Sequence, residues 1–352
     1  MDIEKKMELV MRPPIAEVLT RDEMKAVFEN YAHPKHYIGF EISGKVHLGS
    51  GLVTALKLKD FMEAGIKPTI FLADYHAWIN GKLGGDLEKI QKVATGYFKS
   101  AFVSLGLGED KVNYVLASKM YDADYWKDVL DVCKSTTMAR MLRCTTIMGR
   151  TEKDSLDSAS IIYPAMQAAD IFALDVQFMH AGMDQRKVHV LAREIADKFK
   201  RKKAVALHHR LLMGLSGPSK MGFEQNEKDD IEISSKMSKS KPETCIYVHD
   251  SEAEIKSKIA KAYCPEKTVE NNPIIEMCEM LIMRDAKPLQ ISRPAKFGGD
   301  VEFASATELK EVYTEGKLHP MDLKNAAAAE MAALLKPSRD YFEKHKELLV
   351  QI

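Results

Sequence analysis

Tyr37-Ile-Gly-Phe-Glu-Ile-Ser-Gly-Lys-Val-His-Leu-Gly-Ser50 is the stretch whose reading decides the fold. Tyr37 to Glu41 is aromatic and β-branched and predicts a short buried strand. Ser43-Gly44-Lys45 turns the chain. From His47 onward Leu48, Leu52 and Leu56 recur every four residues, which predicts a helix beginning at His47 and stopping at Gly65. A strand that feeds a tight glycine turn into a helix N-terminus makes an anion site. The unpaired N–H groups of the first turn and the helix dipole both face whatever lies beyond the strand's carboxyl end.

Working outward, strands and helices alternate. Thr69–Ala73 predicts a strand, followed by a loop through His76 and Trp78, a helix Asp86–Leu105 ended by Gly106, and a strand Val112–Leu116. Residues 122–148 read as helical and 150–155 as a polar loop. Pro164 predicts a first-turn helix residue with Tyr163 at the cap. Val176–Met179 (strand), Met183–Phe199 (helix) and Ala204–Leu207 (strand) complete the pattern. This alternation predicts an α/β fold, a doubly wound, Rossmann-like parallel sheet whose ligands sit beyond the strand carboxyl ends. Residues 1–36 read as an amphipathic helical lead-in broken at Pro13-Pro14, and 37–215 as the sheet domain, with a connective, dimer-forming insert at 117–162. Residues 216–245 are rich in Gly, Ser, Lys and acids without periodicity and predict a mobile loop. The capping box Ser251–Glu254 opens 246–352, expected to be an all-helical C-terminal domain that includes Ala306–Thr314 and 322–335.

Lys+Arg and Asp+Glu are both 51, so no whole-chain field draws in nucleic acid and any RNA contact rests on local patches. Five widely spaced cysteines, without a Cys-x-x-Cys pair, predict reduced thiols and a cytoplasmic protein. No window is apolar for 18 residues and Met1-Asp-Ile-Glu-Lys-Lys is no signal peptide, so neither membrane insertion nor export is expected. No metal-ligand spacing appears. His208 and His209 are neighbours that point in different directions along a strand.

Two motifs stand in order along the chain: His47-Leu-Gly-Ser50 and, far downstream, Lys236-Met-Ser-Lys-Ser240. Together they resemble the paired signatures of class I aminoacyl-tRNA synthetases. The resemblance implies ATP as substrate, with Mg2+ as its partner and no tightly bound metal or prosthetic group. It places Gly39, His47, Gly49, Ser50 and Lys239 at the nucleotide. Attack of a carboxylate on the α-phosphate builds charge on the departing pyrophosphate, and a loop carrying Lys236 and Lys239 would neutralise it as it closes. His47, Lys236 and Lys239 are thus the implied catalytic groups.

A third constellation is Tyr163-Pro-Ala-Met-Gln-Ala-Ala-Asp170. Tyr163, Gln167 and Asp170 share one helical face on an otherwise small and apolar helix, and buried Gln and Asp need a polar partner. The pattern is similar to the amino-acid pocket of tyrosyl-tRNA synthetases of the archaeal and eukaryotic type. That likeness implies Tyr163 and Gln167 at the substrate ammonium, with Asp170 and Tyr37 at its phenol hydroxyl. In Ala181-Gly-Met-Asp-Gln-Arg-Lys-Val-His189 it implies Gln185 at tyrosine, Asp184 at the ribose, and Arg186 and Lys187 at the tRNA acceptor stem. In Leu318-His-Pro-Met-Asp-Leu-Lys-Asn325 it implies His319 and Asp322 at the anticodon, although His319-Pro320 also suits a plain helix start. The implied partners are L-tyrosine, ATP, tRNA(Tyr) and a second copy of the chain, with neither membrane nor DNA. Alternatives remain: a tryptophanyl enzyme, against which Asp170 argues; a plain nucleotidylyltransferase, which would lack the lysine loop; and a non-catalytic RNA-binding paralogue, suggested by Ser50 where the signature has histidine.

Overall fold

A computed structural model describes residues 1–150, 154–220 and 226–352. Six strands form the main sheet: β1 (Ile15–Leu19), β2 (Lys35–Glu41), β3 (Lys67–Ala73), β4 (Asn113–Leu116), β5 (Phe178–Gly182) and β6 (Val205–His209), in the order β1-β6-β5-β2-β3-β4. β2 to β6 are parallel, as the alternation predicts, and β1 lies antiparallel on the β6 edge. From β2 the chain winds outward through β3 and β4, then returns to β5 on the other side of β2. That reversal is the switch point at which such sheets bind ligands. β2 and β5 pair only at His36↔Phe178 and Tyr37↔Met179, so the sheet opens just beyond Tyr37.

Several elements depart from the sequence reading. The stretch 1–36 is not helical throughout: helices Ile3–Met11 and Arg21–Asn30 flank β1. The helix after the glycine turn begins at Leu52, not His47, and His47 itself lies in a β-bridge to Tyr247. It ends at Glu63, with Gly65 at φ +85 as its stop. The expected loop through His76 is a short helix, Asp74–Ile79. Pro164 does not open its helix. Asp157 accepts from Ser160 N at 2.8 Å and caps a helix running Ser158–Ala173, which leaves Pro164 inside it. The 216–245 stretch contains a helix, Glu227–Ser235, capped by Asn226, while 221–225 and, in the 150–155 loop, 151–153 lie outside the described residues.

The chain divides into two compact units. One comprises Met1–Gly44, Leu56–Arg210 and Glu347–Ile352; the other Lys45–Ala55 and Leu211–Lys346. In the first, the helices Ala123–Ser135, Ser158–Ala173 and Arg186–Lys198 bury Val129, Met166, Val188 and Leu191 together with Tyr37 and Phe71 of the sheet. In the second, Glu252–Ala260 and Pro320–Leu334 pack against each other, with Ile255, Ile259, Leu323, Ala327 and Met331 buried. That unit is helical apart from an antiparallel ribbon, Leu289–Ile291 with Val301–Phe303, which an all-helical domain would not contain.

Candidate active site

Helix Ser158–Ala173 carries a cluster of buried polar side chains in the first unit. Tyr163, Gln167 and Asp170 share its inner face and are 5%, 9% and 1% exposed. Tyr121 Oη donates to Asp170 Oδ1 at 2.9 Å, and the Tyr125 hydroxyl also favours the carboxylate. Asp170 Oδ2 has no hydrogen-bond partner, and neither has His76 Nε2, equally buried and 3.7 Å away. Burial drives the Asp170 carboxyl well above the usual carboxylate range, against the pull of the Tyr121 and Tyr125 hydroxyls. Burial also holds His76 down at about 3, hence neutral at physiological pH. Two unpartnered polar atoms at this depth are costly unless a ligand supplies a donor.

Tyr37 reaches the pocket from β2, edge-on to Phe71, and burial followed by the charge of Asp170 raises its phenol pKa. A Cβ on Gly39 would collide with Tyr37 Oη, so the glycine makes room for this ring. Tyr163 Oη donates to Glu41 Oε1 at 3.4 Å, and its ring meets His76 edge-on with centroids 4.5 Å apart. Gln167 Nε2 donates to Gln185 Oε1 at 3.2 Å, and Gln185 Nε2 donates to the Ile147 carbonyl at 3.0 Å. Tyr37, Tyr163, Gln167, Asp170 and Gln185, which were separated in sequence, are gathered within one unit.

The second unit holds His47 and the lysine loop. Leu48 N donates to Ile246 O at 3.0 Å and Gly51 N to His47 O at 2.7 Å, which locks the tight turn ahead of Leu52. Gly51 is required there: a Cβ would lie 2.6 Å from Val46 Cγ1 and 2.9 Å from Val248 Cγ1. Ser50 N donates to His47 Nδ1 at 3.4 Å, which leaves the ring proton on Nε2 as a donor. Burial first, then the positive charges of Lys239 and Lys236, lower the His47 pKa to about 3. Both lysines of the loop therefore lie near enough to act electrostatically on His47. The lysine loop is pinned at its start: Met237 N donates to Leu212 O at 2.7 Å, Gly214 N donates to Ser235 O at 2.8 Å, and Met237 is buried.

The remaining predicted residues fall in several places. Asp184 and Gln185 form a 3₁₀ turn directly after β5. Arg186 donates through Nε to both carboxylate oxygens of Glu17, at 2.8 and 3.0 Å, and Lys187 Nζ donates to Thr146 Oγ1 at 3.2 Å. His319 caps helix Pro320–Leu334, its Nδ1 accepting from Met321 N at 3.1 Å, with Asp322 in the first turn. The helix-start reading of His319-Pro320 is thus realised. Sequence reasoning missed Tyr121, Glu41 and Gly51. Gly51 adjoins the first motif and was open to notice; Tyr121 gave no periodic signal. Among the described residues, no group of three or more His, Cys, Asp or Glu is placed to hold a metal ion.

Comparison with known proteins gives the family. The family described as tRNA synthetases class I (W and Y) matches residues 29–234 and 229–336. A tyrosine–tRNA ligase of Thermococcus sibiricus is 51% identical, covering 99% of this chain and 97% of the relative. The crystal structure of a tyrosyl-tRNA synthetase from Pyrococcus horikoshii, complexed with L-tyrosine, is 47% identical with a TM-score of 0.94 and full coverage of both chains. A counterpart from Archaeoglobus fulgidus, also complexed with L-tyrosine, is 39% identical with a TM-score of 0.85, covering 97% of this chain and 99% of that one. With its fold, both motifs and nearly its whole length accounted for, the chain belongs to the class I tRNA synthetases of the tryptophan and tyrosine type.

Proposed function

We propose that the chain attaches L-tyrosine to tRNA(Tyr) through a tyrosyl-adenylate. The observation that carries the amino-acid choice is the buried, unpartnered Oδ2 of Asp170 beside Tyr37. A phenol hydroxyl supplies the donor that this oxygen lacks, whereas phenylalanine leaves it orphaned. Tyr163, Gln167 and Gln185 receive the ammonium end. The substrate carboxylate attacks the α-phosphate of ATP and pyrophosphate leaves. His47 Nε2–H, Lys236 and Lys239 stabilise the charge that grows on it. A ribose hydroxyl of the terminal tRNA nucleotide then attacks the adenylate carbonyl and AMP leaves.

Asp184 serves the ribose, and Gly39, Gly49 and Ser50 line the nucleotide. Arg186 and Lys187 serve the acceptor stem, His319 and Asp322 the anticodon. Mg2+ enters with the substrate, as MgATP. A second copy of the chain docks on the connective segment. Trp126 and Leu130 lie one turn apart on helix Ala123–Ser135 and are 41% and 67% exposed, with Met138 61% exposed just beyond. No described helix is long and apolar enough to cross a membrane, and charging of this kind places the chain in the cytoplasm. The test is transfer of radiolabelled tyrosine to acid-precipitable tRNA. ATP-dependent labelling of tRNA(Tyr) supports the proposal; no labelling at any tRNA concentration overturns it.

A further inference from the structure

Asp170 has two oxygens in unlike surroundings, and the difference traces to Tyr121. Tyr121 Oη donates to Oδ1 at 2.9 Å and lies 3.4 Å from His76 Nδ1. Its ring is fixed from several sides. It stacks on Tyr125 with centroids 3.8 Å apart and planes 11° from parallel, and meets Tyr75 edge-on at 5.6 Å. Tyr125 is tied in turn to the Met166 carbonyl at 3.2 Å, on the helix that carries Asp170. A hydroxyl held this firmly fixes one carboxylate oxygen and restrains the group from rotating, so the other keeps a single direction.

We propose that Tyr121 is a positioning residue for substrate selection: by occupying Asp170 Oδ1 it presents Oδ2 as the one acceptor for the 4-hydroxyl of an aromatic amino acid. This rests on the reading of Asp170 given above. Tyr121 need not touch the substrate; it acts through the carboxylate. Its hydrogen bond also favours the charged form of Asp170 and so opposes the effect of burial. The other titratable groups facing Asp170 are Tyr125, Tyr37, Tyr163, His76 and Asp74. Asp74 is itself fixed by Ser118 N at 3.0 Å and Gln91 Nε2 at 2.9 Å.

The test is Tyr121→Phe in the full chain, which keeps the stacked ring and removes only the hydroxyl. ATP–pyrophosphate exchange is followed with tyrosine and with phenylalanine across a pH series, beside Asp170→Asn. The expected KM for tyrosine rises about 10- to 100-fold, the range for losing one charge-assisted hydrogen bond. kcat stays within a few-fold, because the contact is made equally in ground and transition states. The KM for phenylalanine is unchanged, and the acid limb of kcat/KM for tyrosine moves to higher pH. An unchanged melting temperature and KM for ATP show that the fold is retained. Equal KM increases for both amino acids, or a wild-type KM and acid limb, would reduce Tyr121 to packing and overturn the inference. If Asp170→Asn itself keeps full preference for tyrosine, it is the reading of the pocket that fails instead.

Discussion

Replacing Asp170 with asparagine changes one buried atom and reverses its hydrogen-bonding sense. In the wild type, Oδ2 is an acceptor with no partner inside the protein, 3.7 Å from a neutral His76. Tyrosine supplies the donor and gains a hydrogen bond to a charged group, about 1.5–3 kcal/mol. Phenylalanine gains nothing and seals the oxygen away from water, a penalty of about 1–3 kcal/mol. Asparagine either offers its Nδ2 donor where the carboxylate had an acceptor, or turns Nδ2 towards Tyr121, whose hydroxyl must then accept, and leaves a neutral oxygen for the phenol. Either way the charge assistance is lost, while phenylalanine still leaves one buried polar atom unpartnered. The preference for tyrosine over phenylalanine therefore falls by roughly 1–2 kcal/mol, or about 5- to 30-fold in the ratio of kcat/KM values, the difference between a hydrogen bond to a charged group and one between neutral groups. The side chain is isosteric and the helix around it (Met166, Ala169, Ile171) is fully packed, so the pocket keeps its shape. The assay is pyrophosphate exchange at subsaturating tyrosine and phenylalanine in parallel. A preference within threefold of wild type in a folded Asp170→Asn protein would refute this reasoning.

Lys239→Ala is expected to slow single-turnover adenylate formation strongly while calorimetry finds tyrosine affinity intact, because the lysine meets charge that exists only in the transition state; equal losses in both would assign it a structural role. Gly51→Ala places a Cβ 2.6 Å from Val46 Cγ1 and should cost about 1–3 kcal/mol by overpacking, read as a lower melting temperature together with a lower exchange rate. Glu17 is held at about 2, chiefly by its hydrogen bond to His208 and also by Arg186, against an ordinary 4.5. Since the folded pKa is the lower, this stabilisation is present above about pH 4.5 and is lost as pH falls towards 2. Glu17→Gln should accordingly lower stability at pH 7 by at most about 3 kcal/mol and flatten the fall in melting temperature on acidification. Leu130→Arg puts a charge into the exposed Trp126–Leu130 face and should convert the predicted dimer to a monomer in analytical ultracentrifugation.

Elements with a clean local signal are legible in the sequence. Tyr37–Glu41 is strand because β-branched and aromatic residues lie between polar turns, and Leu52–Glu63 ends where Gly65 takes a positive φ. The face carrying Tyr163, Gln167 and Asp170 followed from spacing alone, whichever residue starts the helix. What stayed hidden depends on tertiary partners. β1 shows little beyond Ile15, Val18 and Leu19 next to two prolines, and it is strand because β6 offers an open edge and His208 and Arg186 bind the Glu17 carboxylate. Asp74–Ile79 has no side-chain cap and is stabilised through Asp74, whose partners Gln91 and Ser118 lie far along the chain. His47 was assigned to the helix by leucine spacing, yet backbone bonds to Ile246 and the tight seat of Gly51 against Val46 and Val248 keep the first turn separate. Tyr121 could not be found by pattern, since its role is visible only once the second oxygen of Asp170 is seen to lack a partner.

Tyrosine activation itself is tested most directly by ATP–pyrophosphate exchange with each of the twenty amino acids supplied singly, run on the wild type and on His47→Ala. Ser50 stands where the class I signature has a second histidine. Its N–H orients His47, its hydroxyl donates to the His47 carbonyl at 3.4 Å, and Lys236, Lys239 and His47 Nε2–H meet the developing charge. The predicted result is robust exchange with tyrosine, far above the other nineteen, that drops about 10²- to 10³-fold on losing His47. Wild-type protein that binds tRNA but exchanges with no amino acid would contradict the account and leave an RNA-binding paralogue in its place.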